Sequence, residues 1–459
     1  MSDRYRGVLL NLKMATIMKS INHGYNPFVK TAICIALSGS MLAIAPAARA
    51  DAISDLKAQI DALQKKFDEL AATQAAAAKA PPAPANVVTG GATPGSFKLP
   101  GSDTSVTIGG YIKADALYSS KSAGVYSQGD QVLVPALIPL GSQGLNQKEQ
   151  LTLHARESRF NIKTDTPTDK GAMTTFLEFD LFGADGNEVV SNSHGLRVRH
   201  AYGTLGGLLV GQTWSTFMDP GSLADTLDFG GSVGEMFIRQ AQVRWTQPFS
   251  GGKWSVALEN PDTSASQTTG VAHRADADRS PDLIGRVDFN SGKSRYSIAG
   301  MARNFRVDSA ASPAITEGKW GGAIGFYGVI PTVGKDDFRF SLNYGNLGRY
   351  AGQGFFSDAV ITTSGELDLP NQWGGIASYR HFWTSNLRST IALSALSSDY
   401  QAPVAASLNK SAQSAHLNLI WSPVPKTDLG IEYIHARREI VSGESGILNR
   451  VQMSARYFF

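Results

Sequence analysis

Arg450-Val451-Gln452-Met453-Ser454-Ala455-Arg456-Tyr457-Phe458-Phe459 alternates with a period of two. Val451, Met453, Ala455, Tyr457 and Phe459 share one face, and Arg450, Gln452, Ser454 and Arg456 share the other. Successive side chains of a strand point to opposite faces. One face therefore suits lipid and the other water, as in the wall of a transmembrane barrel.

Working toward the N-terminus, the alternation recurs in sixteen runs. The expected strands are 104-119, 156-166, 171-183, 195-207, 208-217, 236-249, 254-260, 282-291, 294-308, 320-332, 336-348, 372-384, 387-400, 410-424, 427-440 and 449-459. Their even connections are tight and turn-forming: Pro167 to Lys170, Gly206-Gly207, Ser250 to Lys253, Ser291 to Lys293, Val333 to Lys335, Ser385-Asn386 and Pro425-Lys426. The odd ones, 120-155, 184-194, 218-235, 261-281, 309-319, 349-371, 401-409 and 441-448, are longer and rich in Gly, Ser, Asp and Asn. Loop length sorted by parity is a property of bacterial outer-membrane barrels, with tight turns at one rim and long loops at the other. A soluble sandwich has no reason to sort its loops this way. The expected fold is all-β, a sixteen-stranded antiparallel transmembrane barrel over 96-459; fourteen or eighteen strands remain compatible with the same pattern.

Composition agrees. Charged residues are 18% of the chain, Gly is 47 of 459, and no helical periodicity appears after residue 95. No run of about 18 to 20 apolar residues follows the leader, which excludes helical spans. Residues 1-50 read as a signal peptide: Lys19 and Lys30 precede an apolar stretch from Thr31 to Ala45, and Ala48-Arg49-Ala50 is a cleavage signal before Asp51. An amphipathic first helix is the alternative, and Met14 or Met18 is an alternative start. Cys34, the single cysteine, falls in the leader, so no thiol chemistry is expected after cleavage. The leader holds six basic residues and one acidic, leaving 36 basic against 38 acidic, a net charge of −2. The apparent basicity belongs to targeting, and nucleic-acid binding loses its compositional support.

Residues 51-80 are a separate element. Ile53, Leu56, Ile60, Leu63, Phe67 and Leu70 recur at alternating spacings of three and four, a short heptad seam. About three heptads are marginal for an isolated coiled coil, so association needs something else to gather the copies. Ile at one seam position with Leu at the other leans toward two strands. A single helix packed on the barrel is the alternative. The Ala/Pro-rich stretch that follows, assigned as 81-95, reads as a linker.

Period-two parity also selects the water-facing residues. Arg159, Asn161 and Lys163 oppose Phe160 and Ile162; Arg197 and Arg199 oppose Leu196 and Val198; Arg244, with Gln240 and Gln242, opposes Val243 and Trp245. Arg286 opposes Val287 and Phe289, Arg339 lies between Phe338 and Phe340, and Arg380 completes the expected pore-lining set. An arginine on the lipid face near the midplane costs about 2 to 4 kcal/mol, which is why these are assigned inward. Glu178 and Asp180 point inward as well. The alternative role for the arginines is to pair with those acids and stiffen the wall. Met218 to Glu235 is the expected constriction loop, carrying Asp219, Asp225, Asp228 and Glu235 among Gly221, Gly230, Gly231 and Gly234; a solvent-exposed surface loop is the alternative. Facing a basic wall, its acids are expected to set a transverse field. Trp214 and Phe217 also suit a rim of aromatic residues.

Other chemistry finds little support. His154, His194, His200, His273, His381, His416 and His435 are scattered, with no pair at metal-ligand spacing and no Ser-His-acid grouping discernible. Asp276-Ala277-Asp278 suits a solvated loop better than a calcium site. No metal, no cofactor and no enzymatic activity is expected.

A heptad segment and Ala/Pro spacer leading into Ile108-Gly109-Gly110-Tyr111-Ile112-Lys113-Ala114-Asp115, then Glu157-Ser158-Arg159-Phe160, Leu196-Arg197-Val198-Arg199-His200-Ala201-Tyr202-Gly203 and Val210-Gly211-Gln212-Thr213-Trp214-Ser215, resembles the DcaP-like family of outer-membrane porins. The resemblance implies a sixteen-stranded homotrimeric channel in the bacterial outer membrane, with a periplasmic coiled-coil extension, admitting small anionic organic solutes. The three-fold assembly conflicts with the two-stranded lean of the heptad seam. Two further readings are an outer-membrane barrel enzyme and a structural tether to the cell wall through 51-80. The expected partners are outer-membrane lipid, anionic solutes and the cell wall.

Overall fold

A computed structural model describes residues 48–79, 88–121, 131–141, 148–187, 190–267, 269–275, 278–309, 315–401 and 403–459. The leader up to residue 47 and the Asp276-Ala277 part of the acidic stretch lie outside the described residues.

Sixteen antiparallel strands form one closed wall. They are β1 (Ser105–Lys121), β2 (Lys148–His154 and Arg159–Thr168), β3 (Gly171–Asn187), β4 (Ser193–Leu205), β5 (Leu208–Trp214), β6 (Arg239–Phe249), β7 (Gly252–Glu259) and β8 (Asp282–Ser291). The second half comprises β9 (Ser294–Ser309), β10 (Ile315–Pro331), β11 (Asp337–Gly345), β12 (Asn371–Phe382), β13 (Leu387–Asp399), β14 (Asn409–Trp421), β15 (Thr427–Ile440) and β16 (Ser445–Phe458). Each pairs with the next, and β16 returns to β1 in the register Arg450↔Ser119 to Phe458↔Tyr111. Closure leaves no open edge at membrane depth, where an unpaired backbone group costs several kcal/mol, of order 2 or more.

The two faces are as the terminal alternation requires. On β16, Arg450 and Gln452 are each 1% exposed, whereas Met453 is 56% and Tyr457 55% exposed. Leu196, Val198, Val243, Trp245 and Val287 likewise face outward, beside inward Arg199, Gln242 and Asp288.

Several strand limits differ from the sequence expectation. β2 starts at Lys148 and is broken between its two segments, both of which pair with β1. Gly110 on β1 sits near this break at φ +148, where an added Cβ would meet the Arg159 carbonyl and the Phe459 ring; glycine is the residue that relieves such crowding. β5 stops at Trp214 and β6 starts only at Arg239, so the loop between them is longer than expected. Conversely β16 starts at Ser445, leaving 441–444 as a connection shorter than the turn 422–426. The length parity is therefore not strict, because some strands run on past the rim.

Numbering the long connections in order, L1 is 122–147, L3 is 215–238, L4 is 260–281 and L6 is 346–370. Short stretches of L4 and L6 form a second sheet: Thr263–Gln267 pairs antiparallel with Ala272–Ala275 and parallel with Ala359–Ile361. Ala265, Val307, Ala359, Ile361 and Leu367 are its apolar core.

A larger apolar core lies inside the ring of strands. It joins Leu133 and Ile138 of L1, Phe217, Met218, Val233 and Met236 of L3, and Leu347, Tyr350, Phe355 and Phe356 of L6 to inward wall residues such as Tyr327, Leu396, Ile434 and Leu448. Short 3-10 turns occur in these three loops, at Pro135–Leu137, Pro220–Ser222 and Gly348–Tyr350. Among the described residues, helical character after residue 95 thus exists only as single turns.

The chain divides into two units, 1–85 and 86–459. The first contains a helix, α1 (Ala48–Lys79), longer at its N-terminal end than expected. Ile60, Leu63, Phe67 and Leu70 of its heptad seam are exposed on it.

Candidate functional site

L3 enters the bore and is held there by side chains of the wall. Tyr327 on β10 is buried while its neighbour Phe326 faces outward, and its hydroxyl donates to the Phe217 carbonyl at 2.7 Å. Arg286 on β8 donates to Met218 O at 2.5 Å, and Arg339 on β11 to Leu223 O at 3.1 Å. On the opposite arc Glu432 of β15 accepts the Leu227 N–H at 2.7 Å, while Gln452 of β16 and Lys113 of β1 donate to the Leu227 carbonyl. The loop therefore crosses from β5 and β6 to strands on the far side. L6 ties it as well: Phe237 N–H donates to Tyr350 O at 3.0 Å and Gly352 N–H to Glu235 O at 2.9 Å. L1 joins through Leu133, whose N–H donates to the Asp228 carboxylate at 2.8 Å.

The acids of L3 do not form a free face. Asp219 pairs with Arg286 at 3.1 Å and Arg295 at 2.9 Å, and Asp225 with Arg388 at 2.9 Å and Arg380 at 3.6 Å. Asp228 takes Arg450 at 3.4 Å as well as the backbone of L1. Glu235 is buried against Asp228 with no cation within 4.0 Å among the described residues; burial, then the Asp228 charge, raise its carboxyl well above the usual range. A transverse field needs carboxylates turned toward the opening, whereas Asp219, Asp225 and Asp228 fasten the loop. Phe217 is buried in the inner core, so it does not serve as a rim aromatic.

The seven arginines selected by parity fall into separate groups. Arg159, Arg197 and Arg199 meet around Glu178 and Asp180. Arg199 lies 2.7 Å from Glu178 and 2.8 Å from Asp180, Arg197 is 2.7 Å from Asp180, and Arg159 is 3.8 Å from Glu178. Phe229 of L3 sits among them, 5.7, 5.4 and 5.2 Å from the three guanidinium carbons, and stacks on Phe182 at 5.0 Å. Arg286 belongs with Asp219 and Asp288 on the opposite arc. Arg339 and Arg380 share Asp337, and the chain of charges continues through Asp225, Arg388 and Asp428 to Arg456 near the short-turn end. Arg244 has no carboxylate within 4.0 Å among the described residues, and its Nε is buried without a hydrogen-bond partner.

The expected set omits Arg239, Arg388 and the apolar inward residues. Arg388 shares the inward parity of Thr390 and Ser394, whereas Arg239 shares the parity of outward Val243 and Trp245 and turns from it at the start of β6. Arg239 opens β6 and stacks on Trp214 at 4.1 Å, beside Arg199. One signal was available: Leu396, Ile434 and Leu448 occupy inward positions that are otherwise polar, marking where loops pack against the wall.

The structure also assembles a grouping that spacing did not reveal. Ser414 Oγ is 3.1 Å from His416 Nε2, and His416 Nδ1 is 3.1 Å from Glu432 Oε1. All three are buried behind L3. Ser414 already accepts the Val233 N–H at 3.3 Å and meets Ser394 at 2.8 Å, and Glu432 accepts from Leu227 and Asn418. Its evident work is to seat L3.

A closed sixteen-stranded barrel with a loop fastened across a charged bore is an outer-membrane channel of the porin type. Comparisons with known proteins agree: the family model for the DcaP outer membrane protein matches residues 41–459. The chain belongs to the DcaP outer membrane protein family. It is similar to the crystal structure of the outer membrane channel DcaP of Acinetobacter baumannii, at 22% identity and TM-score 0.69, over 81% of this chain and 100% of that one. A loop L8 deletion mutant of OmpT from Vibrio cholerae is a more distant likeness, at 12% identity and TM-score 0.49 over 78% and 99% of the two chains. No curated protein matches the sequence.

Proposed function

We propose that the chain is a passive diffusion channel for small anionic organic solutes, dicarboxylates or aromatic acids, with a passage that runs past the arginines of β2, β4 and β6. The supporting observation is a local imbalance of charge: Arg159, Arg197 and Arg199 share two carboxylates, Glu178 and Asp180, and Arg239, on the same Trp214 ring as Arg199, adds a fourth cation with no carboxylate within 4.0 Å among the described residues. The chain of Arg339, Arg380, Arg388 and Arg456 against Asp225, Asp337 and Asp428 continues the excess toward the short-turn end.

Cations in a low-dielectric tube raise the local concentration of anions, and polar walls replace part of the hydration a solute loses. Guanidinium offers a planar fork that fits a carboxylate. Binding has to be weak, because a tightly held solute does not leave. The apolar filling by L1, L3 and L6 narrows the bore, so passage depends on size as well as charge.

The same reading takes 1-50 as a signal peptide, 51-80 as a periplasmic coiled coil that helps gather three copies, and 81-95 as a linker. Liposome swelling tests it. Succinate is expected to enter faster than a neutral solute of equal size, and Arg199→Glu to abolish that advantage. Equal rates for the two solutes in the unmutated protein would refute anion preference.

A further inference from the structure

Arg239 differs from every other member of its cluster. Arg159, Arg197 and Arg199 each have a carboxylate within 4.0 Å, and Arg197 spends two nitrogens on Asp180. Arg239 has no carboxylate within that distance and no hydrogen bond among the described residues; its Nε and Nη2 are buried without a partner. What holds it is aromatic: the Trp214 ring at 4.1 Å and the Phe237 ring at 5.2 Å. Trp214 and Phe237 are themselves edge to face at 5.1 Å. A guanidinium held by its face keeps its edge donors uncommitted. Edge donors are the part that recognises a carboxylate in bidentate fashion.

Resting on the anion-channel reading, we propose that Arg239 is the specificity-determining residue of the narrow part of the bore. It contacts the passing carboxylate through its edge while Trp214 and Phe237 fix its plane, and the paired arginines supply field and scaffold. Burying cationic donors without acceptors is unfavourable, and an entering oxyanion relieves that. Arg244, further along β6 and also without a carboxylate within 4.0 Å among the described residues, is the next uncommitted cation on the same strand.

The test uses the full-length protein in planar bilayers, with reversal potentials and succinate as a blocker. Arg239→Gln is expected to lower the anion-to-cation permeability ratio by at least about threefold and to weaken succinate block. Arg239→Lys is expected to keep the ratio and lose most of the block, because an ammonium lacks the fork. The double variant Lys98→Gln with Asp103→Asn removes an exposed ion pair ahead of β1 and no net charge, and is expected to retain both properties. If the unmutated channel prefers anions and Arg239→Gln leaves the ratio and block unchanged, the role of Arg239 is overturned alone. If Arg239→Lys is blocked like the unmutated protein, edge-on recognition is overturned. A cation-selective unmutated channel would instead overturn the reading beneath it.

Discussion

Arg199 donates to two carboxylates, and its value to a passing anion lies in the field it adds rather than in free N–H groups. Replacing it by glutamate changes the local charge by two and leaves Glu178 and Asp180 facing a third acid. Arg199→Glu should therefore reduce anion preference by about tenfold, read as a shift of reversal potential in bilayers. Asp336, in the turn between β10 and β11, supplies a second test. The Phe382 N–H at 2.8 Å, with His381 and Tyr379, holds its carboxyl below the usual carboxylate range. A depressed carboxylate contributes stability above its unfolded pKa, about 3.9, and that contribution disappears as pH falls through the lower folded value. Unfolding midpoints of the unmutated protein and Asp336→Asn should therefore differ at pH 6 and converge in stronger acid. A difference that grows on acidification would contradict the assignment.

At the scale of elements, the strands were legible because one physical constraint acts on every residue of the wall: lipid on one side, water on the other. Arg199 against Val198, or Gln452 against Met453, reveals its face without any partner being known. L3 was legible only in part. Its acids and glycines identify it as unusual, yet no local pattern states that Asp228 will meet Leu133, or that Glu432 will receive the Leu227 N–H. Those contacts join residues far apart in the chain, and each loop supplies only half of the information. Arg239 escaped for a different reason: parity groups it with outward Val243 and Trp245, and only its contacts with Trp214 and Phe237 set it apart. The seat of L3 can be tested directly. Hydrogen bonds to a charged group contribute about 1.5 to 3 kcal/mol each, so Glu432→Ala should loosen L3, raise single-channel conductance and lower the unfolding temperature. The same seat predicts that a fluorophosphonate will not label Ser414, since its hydroxyl is committed to Val233 and Ser394 behind the loop.

For the whole molecule, the barrel and α1 are separate units with separate expectations. If α1 only gathers copies, deleting 51–95 should leave conductance per barrel intact while reducing three-step insertion events. Loss of cell-wall attachment with trimers preserved would favour the tether instead. The proposed anion preference rests on one part of the bore, the excess of Arg159, Arg197, Arg199 and Arg239 over Glu178 and Asp180. It is tested most directly by the zero-current potential of the unmutated protein across a tenfold KCl gradient. An anion-preferring bore gives the sign set by chloride permeating faster than potassium, and a potential of the potassium sign would rule anion preference out.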